Sequence, residues 1–318
     1  MSNSTEYDII IAGGSYAGLA AAMALGRAMR RVLVIDSGNP CNKQTPYSHN
    51  FLTNDGKRPA EIVSMARQQL SSYEYVTFLN DTVTGGQAKA GRFEISTRSG
   101  KLYNARKLVF ATGIRDLMPD IPGFVECWGI SLLHCPYCHG YEVRHQNTGI
   151  IANGDAAFEL SSLISNWTKD LALYTNGKST LTDEQALKLR EHSIDIVEDT
   201  ILKLEHEDGY VKEIVFRKGH SIPVKAIYIR PAFVQHSSLP EEMGCQLTDD
   251  GYIQVDPAQR TSIPGIFACG DNTSRMRTIA NAVASGTSTG FMLNRELIEE
   301  VFNHQQHEGI YTTSLWRT

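Results

Sequence analysis

Cys135 and Cys138 lie in the run His134-Cys135-Pro136-Tyr137-Cys138-His139-Gly140, where two cysteines and two histidines fall within six residues. A C-x-x-C pair works either as a dithiol/disulfide couple or as part of a metal site. In the first case the thiolate is the nucleophile, and a proline after the first cysteine suits the first turn of a helix whose N-terminus lowers the thiol pKa. His139 follows the second cysteine and reads as an exposed turn histidine or as a group whose titration near neutrality lets it move protons. Two other readings share these residues. Cys135-Pro-Tyr-Cys138-His139 matches a C-x-x-C-H haem attachment pattern, which requires export, and the polar N-terminus MSNSTEYD lacks a secretory pattern. His134, Cys135, Cys138 and His139 could ligate zinc, but four such crowded ligands would be strained, so no metal is expected. The remaining cysteines, Cys41, Cys127, Cys245 and Cys269, have no motif spacing and read as small buried hydrophobes.

A second kind of chemistry is written in glycines. The stretch Gly13-Gly14-Ser15-Tyr16-Ala17-Gly18 follows the apolar run Asp8–Ala12 and opens an Ala/Leu/Met-rich stretch, Leu19–Ala28. Glycines there allow a tight turn and bring a pyrophosphate close to the N–H groups of a helix N-terminus. Ser15 replaces the middle glycine of G-x-G-x-x-G and adds a hydroxyl that can bind phosphate. The next apolar run, Val32–Ile35, ends in Asp36, an acidic residue placed to hold ribose hydroxyls. Strand, turn, helix and strand open a doubly wound sheet. A second such unit starts at Thr148, with strands at Thr148–Ala152 and Leu171–Tyr174 and a helix at Asp155–Asn166 between them. Further along, Thr182–His192 reads as a helix capped by Thr182 or Asp183, and Ile201–Glu205 and Tyr210–Phe216 as a hairpin around Asp208-Gly209. Lys107–Thr112 is a buried strand ending at Gly113, Gly265–Asp271 a strand running into a turn, and Thr278–Glu300 one long helix.

The chain has 318 residues, which suits two domains, and a net charge of -5 with 42% hydrophobic and 20% charged residues. No basic excess points to nucleic acid or a membrane surface. Ile9–Gly26 has no charged residue, yet its glycines and serine favour a strand, turn and helix over a membrane span. A cytoplasmic protein is expected, in which a C-x-x-C pair reads as redox or metal chemistry rather than a structural crosslink.

In their order along the chain, the turn at Gly13–Gly18, Ala111-Thr112-Gly113, the Cys135/Cys138 pair and Gly265–Asp271 (GIFACGD) resemble the thioredoxin reductase family of FAD-dependent disulfide oxidoreductases. The resemblance implies an α/β two-dinucleotide-binding-domain flavoprotein, with an FAD domain (1–115 and 233–318) interrupted by a smaller NAD(P)H-type domain (116–232) carrying the cysteines. C-P-Y-C is also a glutaredoxin signature, but that fold is about a third of this length and has no dinucleotide turns. The resemblance assigns FAD to Gly13, Gly14, Ser15, Tyr16, Ala17, Gly18, Asp36, Asn50, Thr112, Gly113, Gly270, Asp271, Thr278 and Ile279, with Asp271 on the ribityl chain. The helix from Thr278 would aim its N-terminus at the flavin pyrimidine, and His49 beside Asn50 is a weaker flavin contact. Cys135 becomes the interchange thiol and Cys138 the thiol facing the flavin. His139 stands where most thioredoxin reductases have an aspartate acting as acid/base, so the resemblance gives it the general acid/base role. A histidine there is shared with dithiol oxidases of the same superfamily that close disulfides in small natural products with oxygen.

The resemblance breaks down at the second nucleotide turn. Ala152-Asn153-Gly154-Asp155 replaces the family's glycine-rich opening, and Thr175-Asn176-Gly177-Lys178 stands where a His-Arg-Arg cluster grips the 2′-phosphate of NADPH. NADPH binding is therefore expected to be weakened or absent. NADH, ferredoxin, or a dithiol substrate passing electrons to oxygen would replace it. The expected partner is a thioredoxin-like protein or a small-molecule disulfide or dithiol, and the expected assembly a homodimer. A non-catalytic redox-sensing flavoprotein is the rival from another class. The polar tail carries Tyr311 and Trp316 and reads as a dimer-contact anchor or a disordered end, or else as a segment in which Tyr311 or Trp316 stacks on a flavin and blocks nicotinamide access.

Overall fold

A computed structural model describes residues 6–308, with side chains for 6–303. The chain divides into two units, the first from Met1–Cys41, Val63–Ile114 and Gln235–Thr318, the second from Asn42–Ile62 and Arg115–Val234. The sequence boundaries differ from this division mainly at 42–62, which were expected with the FAD domain. That segment groups with the central unit because its side chains meet the redox segment, as described below.

The first unit is built on a seven-stranded sheet. Strand Glu6–Ala12 lies parallel between Val32–Asp36 and Leu102–Phe110, and Val76–Asn80 extends the sheet beyond Val32–Asp36. These strands read as continuous apolar runs because both faces are covered. Ile9, Ile11, Val32, Val34 and Val109 face a helix layer, whereas Ile10, Leu33, Ile35, Leu108 and Phe110 face a second core on the opposite side. The outer edge of Leu102–Phe110 is shared. Its first half pairs antiparallel with Arg92–Thr97, and its last residues pair parallel with Ile266–Ala268. The sequence placed this strand at Lys107–Thr112. It starts earlier because the antiparallel neighbour pairs with its first half, and it ends at Phe110, leaving Ala111–Gly113 as loop. Helix Tyr16–Arg27 packs along Ile279–Glu308 through two glycines one turn apart. A Cβ at Gly286 would lie 2.1 Å from the Ala17 carbonyl oxygen, and one at Gly290 would lie 2.6 Å from Ala24 Cβ. No helix among the described residues is long and apolar enough to cross a membrane.

The central unit carries a five-stranded parallel sheet in the order Asp195–Val197, Leu171–Tyr174, Thr148–Ile151, Ala226–Tyr228, Leu132–Leu133. The hairpin Ile201–Glu207/Tyr210–Phe216 turns at Asp208 and Gly209, both at positive φ (52° and 83°), as a two-residue hairpin loop requires. Helix Asp183–Glu191 is capped by Thr182, whose Oγ1 accepts from Gln185 N–H at 3.2 Å while Gln185 Oε1 accepts from Thr182 N–H at 3.0 Å. The cysteine pair follows the strand Leu132–Leu133, and the turn at Ala152–Gly154 follows Thr148–Ile151. Both therefore lie at the carboxyl edge of the sheet, where open α/β sheets bind ligands.

Candidate functional site

In the first unit, the turn at Gly13–Gly18 is formed by backbone that no side chain could replace. Gly13 has φ 107°, and a Cβ there would lie 2.2 Å from the Ala111 carbonyl oxygen. A Cβ at Gly18 would lie 1.9 Å from the Gly13 carbonyl oxygen. Ser15 is the N-cap of helix Tyr16–Arg27, and its hydroxyl makes no capping bond. Gly270, at φ 91°, approaches the same helix start, with a built Cβ 2.9 Å from Ala17 Cβ, and its N–H donates to Ser285 Oγ at 3.1 Å. Thr278 caps the long helix, its Oγ1 accepting from Asn281 N–H at 3.1 Å, so Ile279 is its first residue. Gly13–Gly18, Asp36, Thr112, Gly113, Gly270, Asp271, Thr278 and Ile279 are thus all in this unit, and Asn50 is in the other. Asn50 is exposed at φ 57°, and its N–H donates to Asp55 Oδ1 at 2.8 Å.

Three residues of this unit were missed in the sequence. Asp36 is ion-paired with Arg67, whose guanidinium also lies over the Phe78 ring. Asn272 is fully buried and donates from Nδ2 to the Phe110 carbonyl at 2.9 Å, while its Oδ1 has no partner. Gln235 Nε2 donates to the Asn272 carbonyl at 3.1 Å, and its Oε1 is likewise buried without a partner. Two orphaned acceptors at the carboxyl end of the sheet, together with a glycine turn that a Cβ would fill, fit a dinucleotide bearing hydroxyl donors. No motif marks Arg67, and Asn272 was hidden as the residue after a recognised Gly-Asp.

In the central unit, Cys135 and Cys138 are joined as a disulfide with a Cα–Cα distance of 5.3 Å. Cys135 is the N-cap of the single turn Pro136–His139, and its Sγ accepts from Cys138 N–H at 3.2 Å. Cys135 is 9% exposed, and Cys138 is the more open of the two. The ring of Tyr137 meets Trp167 edge-on at 5.5 Å, and His134 lies against Trp128. Of the other cysteines, Cys127, Cys245 and Cys269 are buried, and burial pushes the Cys269 thiol up to about 12. Cys41 departs from the expectation of a buried hydrophobe and is exposed.

The titration expected of His139 differs in the structure. Burial, and secondarily the neighbouring His49, push its pKa down to about 4. At pH 7 it is neutral and acts only as a weak base, which takes up a proton transiently and must pass it on. A histidine buried neutral is protonated more readily in the unfolded chain, so between about pH 6.5 and 4 the unfolded state binds more protons. Stability then rises with pH through that window and is lost as pH falls, by up to ~3 kcal/mol for this one group. Denaturant midpoints measured from pH 7 to 4.5 should fall more steeply in the native chain than in His139→Gln; parallel curves would contradict the assignment.

The second nucleotide turn is occupied by its own neighbours. Asn153 caps helix Gly154–Ile164, accepting at Oδ1 from Gly154 N–H at 2.9 Å, from Thr180 N–H at 2.8 Å and from Thr180 Oγ1 at 3.1 Å. Its Nδ2 donates to the Lys178 carbonyl at 2.9 Å, drawing segment 178–180 onto the turn. Thr175 is buried and donates from Oγ1 to the Gly177 carbonyl at 2.6 Å, and Asn176 Oδ1 accepts from Ile201 N–H at 2.8 Å. An acidic side chain, Glu198, accepts from Ser179 N–H at 3.0 Å in this loop.

A sequence profile of the pyridine nucleotide-disulphide oxidoreductases matches residues 7–286. The chain belongs to this family. Thioredoxin reductase tcpT of Claviceps purpurea (strain 20.1) is 34% identical over 95% of the chain and 97% of its own length. Thioredoxin reductase aclD of Aspergillus oryzae (strain ATCC 42149 / RIB 40) is 31% identical over 88% of the chain and 93% of its own length. Among solved structures, HlmI superposes with a TM-score of 0.91 at 30% identity, covering 99% of both chains. An oxidoreductase from Agrobacterium tumefaciens superposes with a TM-score of 0.86 at 32% identity, covering 92% of this chain and 99% of its own. This pyridine nucleotide-disulphide oxidoreductase is therefore a thioredoxin reductase-like, two-domain FAD-dependent enzyme acting on disulfides. Tyr311 and Trp316, expected to reach a flavin, lie outside the described residues.

Proposed function

We infer that the enzyme exchanges electron pairs between FAD and a substrate disulfide or dithiol through Cys135–Cys138, and that NADPH is not its electron donor. The observation carrying this reading is the closed second turn, where Asn153 is bonded to Thr180 and Lys178 and the phosphate-gripping arginines are replaced by Thr175-Asn176-Gly177. Arginine clusters hold a 2′-phosphate through forked hydrogen bonds, and a single flexible Lys178, in a loop whose Ser179 N–H is held by the Glu198 carboxylate, cannot reproduce them. When bound at Gly13–Gly18, Asp36, Thr112-Gly113, Gly270-Asp271 and the Thr278–Ile279 helix start, FAD supplies the two-electron acceptor or donor for the disulfide.

The chain's own residues do the rest. A substrate thiol gives its proton to neutral His139, and the thiolate attacks Cys135 Sγ, breaking the Cys135–Cys138 bond and leaving Cys138 as thiolate. The second substrate thiolate then attacks the mixed disulfide, forming the substrate disulfide and releasing Cys135. The hydrogen bond from Cys138 N–H stabilises the Cys135 thiolate so released, which supports Cys135 as the interchange thiol. Reversing the sequence reduces a substrate disulfide. The closed nucleotide turn favours the oxidising direction, with oxygen as final acceptor and a small-molecule or protein dithiol as substrate.

Anaerobic mixing separates these readings. Dithiothreitol should bleach the flavin absorbance, whereas NADPH should do so at least ~100-fold more slowly, the loss expected when several charge-assisted contacts to its 2′-phosphate are missing. NADH should also be slow, because Asn153 closes the turn on Thr180 and Lys178. Rapid bleaching by NADPH would overturn the assignment, and hydrogen peroxide formed from a dithiol in air would fix the direction.

A further inference from the structure

The sequence after the second cysteine continues Cys138-His139-Gly140-Tyr141-Glu142, and the redox reading leaves Glu142 without a role. In the structure, Glu142 and His139 both approach His49, a residue of the segment that groups with this unit. The His49 ring meets the His139 ring edge-on at a centroid distance of 6.3 Å. On the other side, His49 Nδ1 lies 3.6 Å from Asp55 Oδ2 and 3.6 Å from Glu142 Oε1. That nitrogen is shut off from solvent and has no hydrogen-bond partner, while Asp55 and Glu142 are 67% and 38% exposed. The loop is built to hold this arrangement. Ser48 N–H donates to the Lys57 carbonyl at 2.8 Å, Gly56 N–H to the Ser48 carbonyl at 2.9 Å, and Asn50 takes positive φ to give its N–H to Asp55.

We propose that His49 is a positioning residue acting through His139, the relay that carries the proton of the attacking thiol from the buried couple to the exposed carboxylates of Glu142 and Asp55. It rests on the reading of Cys135–Cys138 as the working couple. Imidazole can accept a proton at one ring nitrogen and release another from the second, and Nδ1 is the nitrogen on the carboxylate side. Each thiol that attacks a disulfide sulfur loses one proton, first to His139, and two are shed for each substrate dithiol oxidised. His139 holds a proton poorly at neutral pH because it is buried, so turnover needs an outlet beside it. His139 and His49 are joined in this cluster by Asp55 from the loop, Glu142 from the redox segment and Tyr228 from the sheet. Tyr228 is buried, its hydroxyl has no partner, and burial and then Glu142 push its pKa up, so it stays protonated and takes no part.

The test is quenched-flow reduction of oxidised holoenzyme by dithiothreitol, with the freed Cys135 and Cys138 counted by alkylation and mass spectrometry. His49→Ala should slow this step about tenfold at pH 7, less than the ~10²–10⁴-fold of a direct acid/base group, as suits a residue acting through His139. Free imidazole should restore the rate, and the solvent deuterium isotope effect should rise. Glu142→Gln, a milder change, should slow it about threefold and make the rate rise with buffer concentration. A native rate in His49→Ala, or a slow rate that neither imidazole nor buffer restores, would overturn the relay. If His49→Ala does not fold, the buffer dependence of Glu142→Gln decides alone. An unreactive native disulfide would instead refute the redox reading on which the relay rests.

Discussion

Cys135→Ser should lose at least ~10⁴-fold in turnover with any disulfide or dithiol, because nucleophilic catalysis disappears along with the nucleophile. The variant should still purify yellow, since the glycine turn, Asp36 and Gly270 are all in the other unit. Dithiothreitol should no longer bleach its flavin through the couple. Cys138→Ser supplies the converse. It keeps the interchange thiol, whose Sγ accepts the backbone N–H at position 138, but lacks the thiol that resolves the mixed disulfide. Treated with an aromatic disulfide, it should accumulate a stable adduct at Cys135, visible by mass spectrometry. Full turnover in Cys135→Ser would refute the mechanism; an adduct that fails to form in Cys138→Ser would reassign the interchange role to the other sulfur.

The second large effect is expected far from any sulfur. Gly286→Val places a branched side chain where even a Cβ would lie 2.1 Å from the Ala17 carbonyl oxygen. Neither backbone can yield without moving the other helix, so overpacking should cost about 2–3 kcal/mol or more. For a unit of this size that lowers Tm by roughly 5–10 °C. Because Ala17 belongs to the turn that fits a pyrophosphate, the damage should extend to the cofactor, and the 450 nm absorbance per chain should fall after gel filtration. Phe291→Ala, an exposed neighbour on the same helix, is the control and should leave both unchanged. Equal Tm and equal flavin content in Gly286→Val would show that the two helices can separate without cost.

What was legible in the sequence follows from which contacts are local. The turn Gly13–Gly18, the C-x-x-C pair, the Thr182 cap and the Asp208-Gly209 hairpin each express a rule acting within a few residues, and the structure forms those elements. The antiparallel strand Arg92–Thr97 and the early start of Leu102–Phe110 went unread because pairing there depends on partners, not on periodicity. Arg67 on Asp36, Asn272 at the strand end and Asn153 under Thr180 were invisible for the same reason. Each is a polar side chain whose purpose exists only once a distant segment arrives. The electrostatics were the least legible. His139, read in place of the family's aspartate as a group titrating near neutrality, is moved by burial to about 4.

The shared edge of Leu102–Phe110 also sets an order of assembly on the ribosome. Its last residues pair with Ile266–Ala268, and the helix that covers Tyr16–Arg27 is the last of the described elements, Ile279–Glu308. Between those partners the ribosome makes the whole central sheet, whose five strands all come from Leu132–Tyr228. That sheet can close while the first third of the chain still waits for its final strand and helix. Contacts so distant in sequence form late and leave apolar surface uncovered in the meantime. The nascent chain is therefore most exposed to aggregation and to chaperones through the strands of its first third, until helix Ile279–Glu308 emerges to cover them.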